Sequence, residues 1–262
     1  MGDMAALRAG LAELDEVVVA FSGGADSAFL AWVANDVLGE RARAVTAVSP
    51  SLAPEERADC EALAREWGLR WSTVETDELA DPAYSANDGE RCYHCKTSLM
   101  DALAVTEAPG AVVLGVNLDD LGDHRPGQRA AAERGARFPL VEAGFTKDDV
   151  RASSKQLGLR TWDKPAAACL ASRVPYGTEV TLGVLSSVAK AESALRALGF
   201  RQVRVRHYGD LARIELEADD VEAAAAKRDD VVAAVKQAGY RYVTLDLEGF
   251  RSGNLNQALG AQ

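Results

Sequence analysis

The run Val17-Val18-Val19-Ala20-Phe21, leading straight into Ser22-Gly23-Gly24-Ala25-Asp26-Ser27, constrains this chain more than any other stretch. A valine-rich apolar run predicts a buried strand, and the paired glycines predict a tight turn. Phe29, Leu30, Val33, Val37 and Leu38 then recur at helical spacing. Strand, glycine turn and helix in that order make an anion cradle. Glycine lets the backbone approach a charge closely, and a helix start offers unpaired N–H groups and the positive end of its dipole. Ser22, Gly23, Gly24 and Ser27 would wrap a pyrophosphate, with Asp26 holding magnesium against it. The lysine that follows the second glycine in γ-phosphate-transferring loops is missing, so kinase or GTPase chemistry is not expected.

The rest of the first two thirds alternates in kind. Arg43–Val48, Trp71–Val74 and Ala111–Val116 read as strands. Pro54–Trp67, the segment from Tyr93 to about Ala104, and a segment capped by Thr146 read as helices. Such alternation predicts an α/β fold, a mostly parallel sheet with helices on both faces, binding ligands beyond the carboxyl ends of its strands. After Gly177 the pattern changes to a helix over Leu182–Leu198, strands over Gln202–His207 and Ala212–Glu217, a helix over Asp219–Ala238 and a strand over Tyr240–Leu245. The reading is therefore two domains, residues 1–177 and a small C-terminal α/β domain over residues 178–262.

Charge and cysteine use narrow the function. Lys plus Arg number 29 against 40 Asp plus Glu, a net charge of −11. Proteins that track nucleic-acid backbones normally carry a basic excess, so a nucleic-acid partner such as tRNA is not expected. Met1–Leu14 lacks a basic segment followed by an apolar core, and no apolar run reaches membrane-spanning length, so a cytoplasmic protein without a membrane partner is expected. In that reducing compartment the four cysteines favour metal or catalytic use over disulfides.

Cys92 and Cys95 form a Cys-x-x-Cys at a helix start, where thiol pKa values fall and both sulfurs reach one metal or cluster. The second pair that a four-cysteine zinc site needs is missing. With Cys169 as a third sulfur, an iron–sulfur cluster would keep one iron open; an incidental or redox pair is the alternative. Cys60 reads as a small buried hydrophobe. Cys169 lies within Lys164–Gly177, where two prolines and a glycine predict a shaped loop, and Lys164 and Arg173 bring positive charge that favours a thiolate. Gly115–Gly127, with Asp119, Asp120, Asp123, His124 and Arg125, follows a strand and reads either as a magnesium or nucleotide loop or as a solvated acidic turn. Arg204 and Arg206 share one strand face and suit a phosphate clamp, with Glu192 as their ion-pair partner or as a catalytic carboxylate. A surface salt-bridge lattice fits the same spacing.

Taken together, Ser22–Ser27, Gly115–Gly127, Pro139–Lys147, Lys164–Gly177, Arg204–Glu215 and Tyr240–Gly253 make the chain resemble the LarE family. These are the ATP-dependent sulfur transferases of nickel-pincer nucleotide synthesis, within the PP-loop ATP pyrophosphatases (adenine nucleotide alpha hydrolase-like fold). The resemblance implies that ATP adenylates a carboxylate of pyridinium-3,5-biscarboxylic acid mononucleotide, with pyrophosphate released in the Ser22 loop. Cys169 would supply the sulfur of a thiocarboxylate, Asp26 would serve magnesium and ATP, and Arg173, Glu192, Arg204 and Arg206 would serve the substrate and its phosphate. In the single-cysteine form the sulfur of Cys169 itself is sacrificed. The extra Cys92 and Cys95 instead resemble the branch in which three cysteines, Cys169 among them, hold a [4Fe–4S] cluster carrying an additional sulfide. The family also implies a homo-oligomer, a hexamer among the forms. Rival readings are a cluster-dependent tRNA thiolase, another PP-loop adenylating synthetase that uses ammonia, and a non-catalytic nucleotide-binding module.

Overall fold

A computed structural model describes residues 2–105, 110–122, 125–165 and 168–251. Met1, Asp123, His124, Ala166, Ala167, Ser252 and Gly253, which belong to stretches named above, lie outside the described residues. The chain divides into two compact units, Met1–Glu78 with Cys92–Ala167, and Leu79–Arg91 with Ala168–Gln262.

In chain order the first elements are helix α1 (Met4–Glu13), strand β1 (Val17–Ala20), α2 (Ala25–Leu38), β2 (Ala42–Val48), α3 (Pro54–Trp67) and β3 (Trp71–Glu75). A short α4 (Pro82–Ser85), then α5 (Arg91–Ala104), β4 (Ala111–Val113), α6 (Pro126–Glu133), α7 (Pro139–Glu142) and α8 (Lys147–Gln156) follow. The remaining elements among the described residues are α9 (Leu182–Ala197), β5 (Val203–Tyr208), β6 (Leu211–Leu216), α10 (Val221–Ala226), α11 (Arg228–Gln237) and β7 (Tyr242–Leu245).

The first unit is built on a four-stranded parallel sheet in the order β3-β2-β1-β4. Arg137 extends it beyond β4 through a parallel bridge to Val113. β1 is central and covered on both sides, which is why its sequence is continuously apolar rather than alternating. Val17 and Val19 face a core with Leu7 and Leu11 of α1, Phe29 and Leu30 of α2, Leu63 of α3 and Val150 of α8. Val18 faces the other side, with Val45 of β2 and Leu99 and Leu103 of α5. Helices thus cover both faces, as the alternation predicts. From β1 the chain runs outward to β2 and β3 and then returns to β4 on β1's other side. The carboxyl end of β1 is therefore the topological switch point, and the Ser22 loop sits there. The strand read over Ala111–Val116 ends at Val113, because Gly115 turns in against α2.

The second unit carries a three-stranded sheet in the order β5-β6-β7, antiparallel between β5 and β6 and parallel between β6 and β7. Val203, Val205, Ala212, Ile214 and Leu216 pack on one face with Leu195 of α9 and Val235 of α11. Period-two alternation sends Arg204, Arg206, Arg213 and Glu215 to the opposite face. The single helix expected over Asp219–Ala238 is interrupted at Lys227 and becomes α10 and α11.

The division between units also differs from the boundary at residue 177. The stretch from Ala168 onward joins the second unit, and so does the segment Leu79–Arg91. Backbone pairing explains this: Gly177 N–H donates to the Asn87 carbonyl at 3.0 Å, and Val180 N–H to the Ser85 carbonyl at 2.9 Å. No helix among the described residues is long and apolar enough to cross a membrane.

Candidate active site

The Ser22 loop has the shape its residues dictate. Gly24 is the N-cap of α2 and no side chain caps that helix start, leaving its first amides for a ligand. Gly23 holds φ +70°, and a methyl group there would meet the Cys60 Sγ at 2.9 Å, so only glycine suits both the conformation and the space. Cys60 is fully buried beneath the loop, in keeping with its reading as a small hydrophobe. Ser27 uses its hydroxyl within the loop, accepting from Ser22 N–H at 3.3 Å and donating to the Gly24 carbonyl at 3.1 Å. Ser22, whose hydroxyl lies 3.0 Å from that of Ser27, remains exposed.

Lys164 sits against the phosphate loop. Its Nζ donates to the Gly23 carbonyl at 2.8 Å and pairs with Asp59, which also pairs with Arg160 at 2.8 Å. The ammonium group is thus bound to the phosphate loop. Its salt bridge and the Arg160 contact overcome the effect of burial and hold the Asp59 carboxyl below its usual range.

Asp26 stands in the first turn of α2, where Asn117 Nδ2 donates to its Oδ1 at 3.2 Å. Burial pushes its pKa up; the Asn117 bond opposes this and the charge of Asp120 adds to it. A carboxylate held under that penalty favours a cation, so Asp26 fits the donor expected for magnesium. The Gly115–Asp120 segment is docked against this turn. Asn117 is buried, its N–H donates to Asp120 Oδ2 at 3.2 Å, and Asp120 pairs with Arg125 at 2.8 Å. Asp119 accepts from Lys147 N–H at 2.6 Å. The acidic stretch therefore shapes the site as well as charging it. Asn117 is a site residue that the sequence reading did not single out, although it lies within the loop that reading marked.

Cys169 belongs to the second unit, as the N-cap of a single 3₁₀ turn over Leu170–Arg173. Arg173 is 1% exposed and its Nη1 donates to the carbonyls of Ala168 and Cys169 and to Ser172 Oγ. Its Nε and Nη2 donate to Glu192 at 2.8 and 3.0 Å. Glu192 also accepts from Arg196 at 2.9 Å and from Val205 N–H at 3.0 Å. Its two oxygens accept from Arg173, Arg196 and the Val205 amide, and the charge of Arg204 on β5 acts on it as well. Burial raises its pKa, but the Arg173 bonds and charge and the Val205 amide outweigh that and keep it lowered, hence ionised.

The β5 arginines are buried, so a surface lattice does not describe them. Arg206 donates to Glu215 at 3.0 and 2.7 Å and to the Ser172 carbonyl at 2.9 Å. Arg204 donates to the Val203 carbonyl at 2.9 Å and lies over the Phe250 ring at 5.3 Å. Asn87 and Arg91, absent from the sequence reading, complete the support. Arg91 Nη1 donates to the Ala171 carbonyl at 2.9 Å, and Asn87 Nδ2 reaches the carbonyls of Pro175 and Thr178, each at 2.8 Å. Arg173, Arg206 and Glu192 thus meet around one cysteine loop.

Cys92 is exposed and Cys95 half-buried on the first turn of α5, three residues apart and so adjacent on the helix surface. His94, between them, is half-buried and lies edge-on to Tyr93. Cys92 and Cys95 belong to the first unit and Cys169 to the second. Among the described residues no group of three or more His, Cys, Asp or Glu side chains is assembled to hold a metal ion.

A parallel sheet with an uncapped Ser-Gly-Gly loop at its switch point and an aspartate in the following turn defines a PP-loop enzyme that uses ATP. The NAD synthase family profile matches residues 7–99, the segment containing this loop. A pyridinium-3,5-bisthiocarboxylic acid mononucleotide synthase of Lactiplantibacillus plantarum is 41% identical over 259 residues, 97% of this chain and 94% of that protein. An uncharacterized protein of Synechocystis sp. is 49% identical over 258 residues, 97% of this chain and 96% of its own length. A third, uncharacterized protein, from Methanocaldococcus jannaschii, is 27% identical over 240 residues, 90% of this chain and 91% of its own length. The chain belongs to the LarE family of ATP-dependent sulfur transferases.

Proposed function

We propose that this chain converts a carboxylate of pyridinium-3,5-biscarboxylic acid mononucleotide to a thiocarboxylate at the expense of ATP, with Cys169 in the sulfur-transfer step. The likeness to the L. plantarum synthase along almost the whole chain supports the substrate. The observation that carries the chemistry is a cysteine in a loop whose carbonyls are pinned by Arg173 and Arg206, on a chain that also bears a pyrophosphate loop.

The order of events follows from leaving-group chemistry. A carboxylate is a poor electrophile, so its oxygen first attacks the α-phosphorus of ATP, the α–β P–O bond breaks, and pyrophosphate leaves. The amides of Gly24 and Ala25 and the Ser22 hydroxyl receive that charge, and Asp26 would hold the magnesium that neutralises it. The Cys169 thiolate then attacks the acyl carbon, a C–S bond forms, and AMP leaves. Loss of the Cys169 Cα proton and cleavage of its Cβ–S bond deliver a thiocarboxylate and leave dehydroalanine, with no external oxidant or reductant. Arg204 and Arg206 supply the positive charge that suits the substrate phosphate.

A second form of the same function is favoured by one observation, the pair Cys92 and Cys95 on one helical turn. Counted with Cys169 they supply the number and type of thiols that a [4Fe–4S] cluster with one open iron would need; when bound, such a cluster would supply a transferable sulfide and spare the cysteine. A homo-oligomer, in the family a hexamer, and a cytoplasmic setting complete the reading. The test is AMP and pyrophosphate release from magnesium-ATP. It should require the pyridinium dicarboxylate and persist in Cys169→Ala, which should form no thiocarboxylate. Thiocarboxylate formation by Cys169→Ala would point instead to a sulfur route that bypasses this residue.

A further inference from the structure

Asn87 has no place in the chemistry above, yet its surroundings are built around it. It is 0% exposed and adopts φ +57°, a left-handed conformation that non-glycine residues rarely keep unless the surroundings demand it. Its Nδ2 donates at 2.8 Å to both the Pro175 and Thr178 carbonyls and lies 3.3 Å from that of Val174. Its Oδ1 accepts from Arg91, which also donates to the Ala171 carbonyl. Its own carbonyl accepts from Gly177 N–H at 3.0 Å. The Asn87 side chain thus fixes the turn after Cys169 at Val174, Pro175 and Thr178, its own carbonyl holds Gly177, and Arg91 ties it to Ala171.

The other side of that turn is fixed by Arg173 and Arg206, which hold the carbonyls of Ala168, Cys169 and Ser172. Those guanidinium groups belong to the machinery already described; Asn87 does not. An amide is the one side chain of this size that offers donors to several carbonyls and an acceptor to a guanidinium at once. We propose that Asn87 is a positioning residue that sets the aim of Cys169, so that its loss uncouples ATP consumption from sulfur transfer. The inference rests on the sulfur-transfer reading.

Asn87→Asp is the informative substitution. It keeps the shape and the bond to Arg91, and it turns the carbonyl-facing donor into an acceptor that repels those carbonyls. Two products report the two halves of the reaction. With hydroxylamine as nucleophile, acyl-adenylate is trapped as hydroxamate with release of AMP, and this should be unchanged in Asn87→Asp. Thiocarboxylate formed per pyrophosphate released should fall by about ten- to a hundredfold, the usual cost of misplacing a reacting group by an ångström. A merely structural role would lower hydroxamate and thiocarboxylate together, and that result would overturn the proposal, as would an unchanged ratio.

A second readout needs no substrate. The rate at which iodoacetamide modifies the Cys169 peptide of the anaerobically isolated protein, followed by mass spectrometry, should rise several-fold in Asn87→Asp. An equal rate would count against the proposal even if the assigned substrate were wrong. Failure of the unaltered chain to release pyrophosphate with the pyridinium dicarboxylate would instead undo the functional reading. Should Asn87→Asp not fold, Arg91→Lys, which gives up the guanidinium fork to Asn87 and Ala171, should shift the same ratio in the same direction, less strongly; no shift there would overturn the proposal.

Discussion

Replacing Gly115 by alanine tests how the first unit assembles its nucleotide site. An added methyl group would stand 2.7 Å from Ser27 N, 2.8 Å from Asp26 C and 2.9 Å from Ser27 Cα. All three atoms are backbone of the first turn of α2, so no change of rotamer relieves the contact. Either the Gly115 segment withdraws or the helix start shifts. Overpacking of this kind costs about 1–3 kcal/mol. For a chain of this length each kcal/mol lowers the melting temperature by roughly 2–4 °C, so Gly115→Ala should melt about 2–12 °C below the unaltered protein. Withdrawal also draws Asn117 from Asp26, so magnesium-ATP binding should weaken by about tenfold for each 1.4 kcal/mol of strain that persists in the complex. Gly122 is the matched control, because a methyl group there meets nothing within 4 Å among the described residues. Gly122→Ala should stay within about 0.5 kcal/mol of the unaltered chain. Thermal unfolding by circular dichroism and calorimetric titration with magnesium-ATP read the two effects. If Gly115→Ala melted and bound ATP as the unaltered protein does, the docking of this loop on α2 would be refuted.

Three further outcomes follow from the same contacts. Arg173→Met leaves Glu192 ionised, buried and short of its main partner, and should cost about 3–5 kcal/mol in denaturant unfolding, while exchanging Glu192 for Leu as well should recover part of that loss. Asp26 has a raised pKa, so the folded chain holds its proton more tightly than the unfolded one; stability from this group falls as pH rises from its ordinary value near 3.8 through the raised one. Asp26→Asn should therefore melt higher than the unaltered protein at neutral pH without ligand, while losing magnesium-dependent pyrophosphate release; equal melting temperatures would contradict the burial penalty. Lys164→Met removes a charge-assisted bond to the Gly23 carbonyl, typically worth about 1.5–3 kcal/mol, and should raise the KM for ATP more than it lowers kcat, with Lys164→Arg restoring much of the loss.

The parts of this protein readable from sequence are those whose signal is local. The valine run of β1, the glycine pair and the helix that follows are contiguous, so periodicity and turn chemistry suffice to place a phosphate loop at a strand end. Arg204 and Arg206 were assignable to one strand face for the same reason. What escaped the sequence depends on distant pairs. Lys164 reaches Gly23 across 141 residues, and Asn87 reaches the Val174 carbonyl across 87. A single lysine or asparagine in a polar loop carries no periodic mark of such a partner. Glu192 feels the charge of Arg204 on the adjoining strand, as spacing suggests, but its bonds to Arg173 of the cysteine loop span 19 residues and carry no periodic mark. The prolines and glycine before residue 177 mark a shaped loop, but nothing local shows that Asn87 holds it or that it groups with the second unit.

The most direct test of the account is mass spectrometry of both protein and product after turnover of the anaerobically reconstituted enzyme with ATP, magnesium and pyridinium-3,5-biscarboxylic acid mononucleotide. The account predicts a product in which sulfur has replaced a carboxylate oxygen. In the sacrificial form the peptide carrying Cys169 loses the elements of hydrogen sulfide; in the cluster form its mass is unchanged and product exceeds one equivalent. Pyrophosphate and AMP released without any thiolated product, and with Cys169 intact, would contradict sulfur transfer and leave an adenylating enzyme of another kind.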